Sequence, residues 1–186
     1  MNKNITDAIK SNDLIMIQNY ILSQQNSDNI NDTLLIICRT CIDHDNDALL
    51  KITLESFQDY NQQIHEVIME YCCSRGSVNC LKILVKQFDY SITSLCFKTL
   101  TTFGRKIRYI KCFRLLLEEY ELPSNTNLYK DCYDVGMFEY LLSLKLKGVN
   151  ELNPIILIRF ANQLFEEEER IKYPLTVKYL ESKSLL

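Results

Sequence analysis

The chain has 186 residues, enough for one sizeable core and marginal for two domains. Its formal net charge of -3 and pI near 5.5 exert no global pull toward nucleic acid or an anionic membrane. Only four glycines and three prolines argue against a turn-dense β fold and for helices joined by short connections. No apolar h-region follows MNKNITD and no apolar run reaches about 18 residues, so a cytoplasmic protein without a membrane segment is expected.

The chain divides by pattern into units at roughly 3–30, 31–62, 63–92, 93–125 and 126–152, with a remainder at 153–186. In the first, NITDAIKSNDLIMIQNYILSQQ reads as two short helices with Asn12 at the turn and the second helix over 14–22, since Asn tolerates a left-handed backbone. The polar stretch 23–33 fits a loop, and Asp32 or Thr33 is the expected cap of the next helix. That helix, TLLIICRTCID, carries Leu34, Leu35, Ile36, Ile37, Cys38 and Cys41 on nearly all sides, which predicts burial between neighbours. A turn at HDND then leads into a second helix over 48–57.

The third unit holds the clearest hairpin. IHEVIMEYCCSR ends at Gly76, and Val78, Leu81, Ile83, Leu84, Val85 and Phe88 recur at helical spacing beyond it. The fourth, SLCFKTLTTFGRKIRYIKCFRLLLEEY, is predicted to contain a long basic turn before a second helix over 111–120, with Pro123 closing it. The fifth is compressed, with Gly136 just ahead of its helical run and Gly148 as a C-cap. Residues 154–173 read as one long amphipathic helix with Asn153 as cap and Pro154 in its first turn. Pro174 ends it, LTVKYLESK forms a final second-type helix, and Glu166 to Glu169 supply a polar outer face.

Taking Ile17, Leu50, Leu81 and Phe113 as equivalent positions, the intervals are 33, 31 and 32 residues. A near-constant interval of this size predicts an all-α chain of about five stacked helix-turn-helix repeats, a short solenoid forming one domain with a divergent C-terminal cap. The run MEYCCSRGSVNCLKILV (69–85) resembles the core of an ankyrin repeat. Cys72 and Cys73 stand at the two small positions that end the first helix, Gly76 at the turn, and Cys80 to Val85 in the apolar run. The Thr-Pro-Leu-His opening of that family is absent from every copy.

The resemblance implies a non-enzymatic protein-protein interaction module, acting as adaptor, scaffold or competitive inhibitor. Its partner would bind the concave face formed by first helices and loop tips. The abundance of Asn, Ile, Lys, Leu and Tyr is typical of AT-rich genomes. Degenerate ankyrin proteins are common in large DNA viruses and intracellular bacteria, so the resemblance extends to a host-virus interaction, or a pathogen counterpart, in the host cytoplasm.

Eight cysteines would suit a secreted disulfide scaffold, but most lie within apolar helical runs, where reduced thiols pack as small hydrophobes. Zinc at Cys38 and Cys41 with Cys72 and Cys73 is disfavoured, because the first pair is mid-helix and the second pair is adjacent and divergent. His44 and His65 are expected in solvent. With no phosphate loop, nucleophile elbow or converging carboxylates, neither enzyme activity, cofactor, metal nor small-molecule substrate is expected.

The concentrated charge is Arg105, Lys106, Arg108, Lys111 and Arg114, with Phe103 and Tyr109 interleaved. Arg105, Lys106, Arg108 and Lys111, together with Arg39, Asp43, Glu70 and Arg75, form the expected contact set for a partner protein. Two other classes stay open. One is self-assembly through an apolar end face into a larger particle; the other is nucleic-acid or phosphate binding at 105–114, marked by steep salt dependence.

Overall fold

Four helices in this chain begin where a local side-chain acceptor stands ready for the first free amides. The Asp13 and Asn46 side chains accept from Met16 N and Leu49 N, each at 3.1 Å, and Asp134 accepts from Met137 N at 2.9 Å. Asn153 caps Ile155 N at 2.9 Å with Pro154 at the first helical position, as the sequence predicts. The computed structural model describes residues 3–11, 13–24, 30–57, 62–88, 90–104, 106–120, 122, 128–130, 132–146 and 153–186. Asn12, Arg105, Pro123 and Gly148 lie outside them.

Among the described residues there are twelve helices and no strands, so the chain is all-α. They group into two compact units, Met1–Thr93 and Ser94–Leu186. The division falls one residue from the boundary expected between the third and fourth repeats.

The first unit contains α1 (Lys3–Ser11), α2 (Leu14–Gln24), α3 (Ile30–Asp43), α4 (Asp47–Ser56), α5 (Gln62–Arg75) and α6 (Val78–Lys86). Helices pair as α1 with α2, α3 with α4 and α5 with α6. In addition α1 packs on α3 and α3 on α5, while α2 packs on α4 and α4 on α6. The same backbone turn closes each pair: Asp13 N donates to Ala8 O, Asn46 N to Cys41 O and Ser77 N to Cys72 O, at 2.8, 2.9 and 3.2 Å. The left-handed residue of these turns is Asp45 (φ 49°) in the second pair and Gly76 (φ 62°) in the third.

The second unit contains α7 (Ser94–Phe103), α8 (Ile107–Glu119), α9 (Val135–Ser143), α10 (Pro154–Gln163), α11 (Glu167–Lys172) and α12 (Pro174–Glu181). Here α7 pairs with α8, α8 touches α9, α9 packs on α12, and α10 and α11 pack on α12. Ile17, Leu50, Leu81 and Phe113 are all 0% exposed, and Phe138 and Leu180 continue the series.

Several expectations require correction. The long basic turn does not exist: α8 starts at Ile107, because Tyr109, Cys112, Phe113 and Leu116 form one buried helical stripe, leaving Arg108 and Lys111 on the helix. Gly104 makes the short connection possible, since a Cβ there would lie 2.7 Å from Leu100 O and 2.9 Å from Met137 Cε. Asp32 and Thr33 lie inside α3, where Asp32 faces the favourable end of the helix dipole. α3 is not buried all round, since Ile36 is 40% exposed and Arg39 and Asp43 face solvent. Gly136 is within the first turn of α9.

The long helix at 154–173 is broken at 164–166. Three glutamates occupy the first turn of α11, where its dipole favours them, and Arg170 Nε donates to the Leu164 carbonyl at 2.9 Å, satisfying the end of α10. His65 is half-buried with its ring stacked on buried Tyr90, centroids 4.0 Å apart. Burial lowers its pKa from the ordinary value.

Two substitutions test this arrangement. Leu81→Ala removes a fully buried side chain and is expected to cost about 2–5 kcal/mol in chemical unfolding, whereas a loss under about 0.5 kcal/mol would contradict the packing described. Glu139→Ala deprives α12 of the carboxylate that accepts from Leu175 N, Thr176 N and Thr176 Oγ1 at 2.9, 2.6 and 2.7 Å. Thr176 is fully buried, so a loss of about 1–3 kcal/mol is expected.

Candidate functional site

The exposed side of α3 and α5 brings together three of the expected contact residues. Asp43, at the end of α3, accepts from Arg75 Nε at 2.6 Å and from the Tyr71 hydroxyl at 2.9 Å, both on α5. The guanidinium groups of Arg39 and Arg75 lie 5.3 and 5.8 Å from the Tyr71 ring centroid. Partial burial first, and then the bond to Asp43, raise the pKa of Tyr71. Glu70 is exposed on the same helix. Because the Arg75 and Asp43 side chains are 52% and 34% exposed, their pair contributes about 0–1 kcal/mol. Folding therefore depends little on this surface, which is free to be shaped by something else.

Polar contacts, one buried and the others closer to solvent, join the two hairpins. The Ser77 hydroxyl donates to Ile42 O at 2.6 Å, and the Asp45 carboxylate accepts from Asn79 N and Cys80 N at 3.0 and 3.1 Å. Sequence reasoning missed Tyr71 and Asp45. The signal was present in Asp45, an acidic residue at a turn position 31 residues before Gly76.

The basic cluster behaves differently. Lys106 and Arg108 line a groove of about 640 Å³ in the second unit, together with Phe103, Tyr109, Tyr133 and Arg159. Lys111 is not part of its wall, and Arg114 lies 5.9 Å from the Tyr140 ring centroid. Arg108 is held 5.3 Å from the centroid of Tyr109, whose ring is buried. Arg159 joins from α10, some 50 residues onward, with no cue in the sequence that it would meet the cluster.

All eight cysteines are buried thiols. Cys38 and Cys41 on α3 approach Cys80 on α6, whose thiol lies 3.9 Å from Cys41 O, a grouping that pairing them with Cys72 and Cys73 did not anticipate. Burial above all pushes Cys41 and Cys132 up to about 12 and raises Cys38 and Cys80 as well. Such groups stay protonated at neutral pH, the opposite of what a nucleophile or thiolate ligand requires. Among the described residues no three His, Cys, Asp or Glu side chains are placed to hold a metal ion. Nor is any helix there long and apolar enough to cross a membrane.

Neither protein-family models, nor curated proteins, nor solved structures yield a match to this chain.

The thiols supply a test. In the native chain a thiol-specific reagent at pH 8 should label fewer than one site per chain, with little gain as pH rises to 9.5, while the denatured chain should titrate to eight. A native thiol that reacts with an apparent pKa near 8.5 would show that one of these cysteines is an exposed, activated group.

Proposed function

We propose that the chain is an ankyrin-like repeat solenoid that works as a protein-protein interaction module. Its partner would bind across the exposed faces of the first helices and the adjoining turns. The observation that carries this reading is the packing order of the first unit. Three hairpins follow one another with first helix on first helix and second on second, each closed by the same hydrogen-bonded turn. The turn residues Asp13, Asn46 and Ser77 are spaced by 33 and 31 residues, the intervals read from the core positions. Stacked units of this kind bury their core between neighbours and leave one continuous row of side chains for recognition.

Arg39, Asp43, Glu70, Tyr71 and Arg75 form part of that row. Surface arginine and tyrosine are the residue types that most often dominate binding energy at protein interfaces. A host-directed adaptor or inhibitor in the cytoplasm, where buried thiols stay reduced, is the setting that suits the resemblance.

The test pairs capture with location. Affinity capture with the full chain from its native cell should recover one protein at stoichiometric yield. The double reversal Arg39→Glu and Glu70→Arg should lose it without changing the melting temperature, whereas Lys82→Glu, exposed on a second helix, should retain it. Retention by the double reversal with loss in Lys82→Glu, or no stoichiometric partner at all, would overturn the reading.

A further inference from the structure

The groove of the second unit has a chemistry that an ordinary peptide does not require. Its cations come from three places: Lys106 ahead of α8, Arg108 in the first turn of α8, and Arg159 on α10. Among the described residues none of the three has an ion-pair partner. α7 and α10 contain no acidic residue, and α8 has none before Glu118. Three like charges converging on one concavity raise its potential, and an anion seated there lowers it. The first turn of α8 adds to this, having neither an acidic residue nor a side-chain cap.

The walls of the groove are aromatic. Phe103 is 52% and Tyr133 38% exposed, on opposite chain segments, and the Tyr109 ring backs Arg108. Exposed aromatic rings beside unpaired cations are suited to a ligand that is itself a flat ring bearing a negative group. A volume of about 640 Å³ is in the usual range of about 300–1,000 Å³ for a site that holds one such group.

We infer that this groove receives a phosphorylated tyrosine side chain of the partner protein. A phosphate monoester carries about -1.5 to -2 charge at neutral pH and presents three acceptor oxygens, one for each of the three cations, two from the start of α8 and one from α10. A carboxylate, with one charge and two oxygens, compensates less of that charge and leaves one of the three donors without an acceptor of its own. A nucleic-acid strand wants cations continuing along a track, whereas Lys111 is outside the groove and Arg114 is set against Tyr140. The inference rests on the protein-binding reading for the carrier of the phosphate.

The immobilised full chain would be offered a peptide pool with a central phosphotyrosine and randomised flanks, the same pool with tyrosine, the same pool with glutamate, and a mixed-sequence single-stranded oligonucleotide. The phosphorylated pool should be retained about tenfold or more over the other three. Arg159→Ala, and separately Lys106→Ala with Arg108→Ala, should lose that preference with unchanged circular dichroism and melting temperature. Phenyl phosphate should compete, and inorganic phosphate should compete more weakly. Equal retention of the tyrosine or glutamate pools, stronger retention of the oligonucleotide, no retention at about 50 mM salt, or unaltered preference in both variants would each overturn the inference. Phosphatase treatment of the cell extract separates this outcome from the broader reading: a partner still captured after treatment leaves the interaction module standing and removes only the phosphate.

Discussion

The amides that open a helix have no partner within it, and in this chain α2, α4, α6, α9 and α12 each find a side-chain acceptor for theirs. Where the local residue caps, as Asp13, Asn46 and Asp134 do, the need is met inside the hairpin. It is not met that way at α6 and α12. Ser77 gives its hydroxyl to Ile42 O and Tyr173 makes no side-chain cap, so an earlier part of the chain supplies the acceptor: Asp45, in the turn between α3 and α4, for α6, and Glu139, on α9, for α12. A cap is worth about 1 kcal/mol. Its larger consequence is positional, because a carboxylate that must reach two amides on the next hairpin fixes how far and at what angle that hairpin sits.

The cores of the two units solve the same packing problem with different side chains. In the first, the buried set that includes Leu50 and Leu81 is rich in isoleucine and in cysteine, which packs as a small hydrophobe. In the second, Phe113 and Phe138 take over those positions, and rings meet edge-on or tilted: Phe97 with Phe113 at 5.2 Å, Phe138 with Phe160 at 5.2 Å and with Tyr179 at 5.5 Å. The larger residues fill volume that a helix fills elsewhere.

The second helices were legible in the sequence because their signal is redundant. The apolar stripe, the 33, 31 and 32 residue intervals and the small residues before each turn all agree, and Ile17, Leu50, Leu81 and Phe113 are indeed fully buried. What was not legible depends on contacts between distant segments. The start of α8 hinged on a Gly104 connection tight against Met137, which charge-rich residues nearby disguised as a long turn. The break at 164–166 is stabilised by Arg170 folding back to Leu164, and His65 is shielded by a tyrosine 25 residues away. Of the expected contact residues, Arg39, Asp43 and Arg75 meet around Tyr71, while Lys106 and Arg108 part from Lys111. Helical geometry separates positions that simple proximity in sequence had pooled.

One short stretch of chain before α9 both packs on that helix and reaches the groove. Phe138 follows Phe113 by 25 residues, and the described residues directly before α9, 128–130 and 132–134, are not helical. Tyr129 anchors this stretch on α9. Its ring is buried against Phe138 at 5.9 Å, its hydroxyl donates to Leu141 O at 3.0 Å, and burial pushes its pKa up to about 12. Tyr133, in the same stretch, is left half-exposed on the wall of the groove, facing the cations of α8 and α10. The stretch that anchors itself on α9 through Tyr129 thus also carries Tyr133 to the groove.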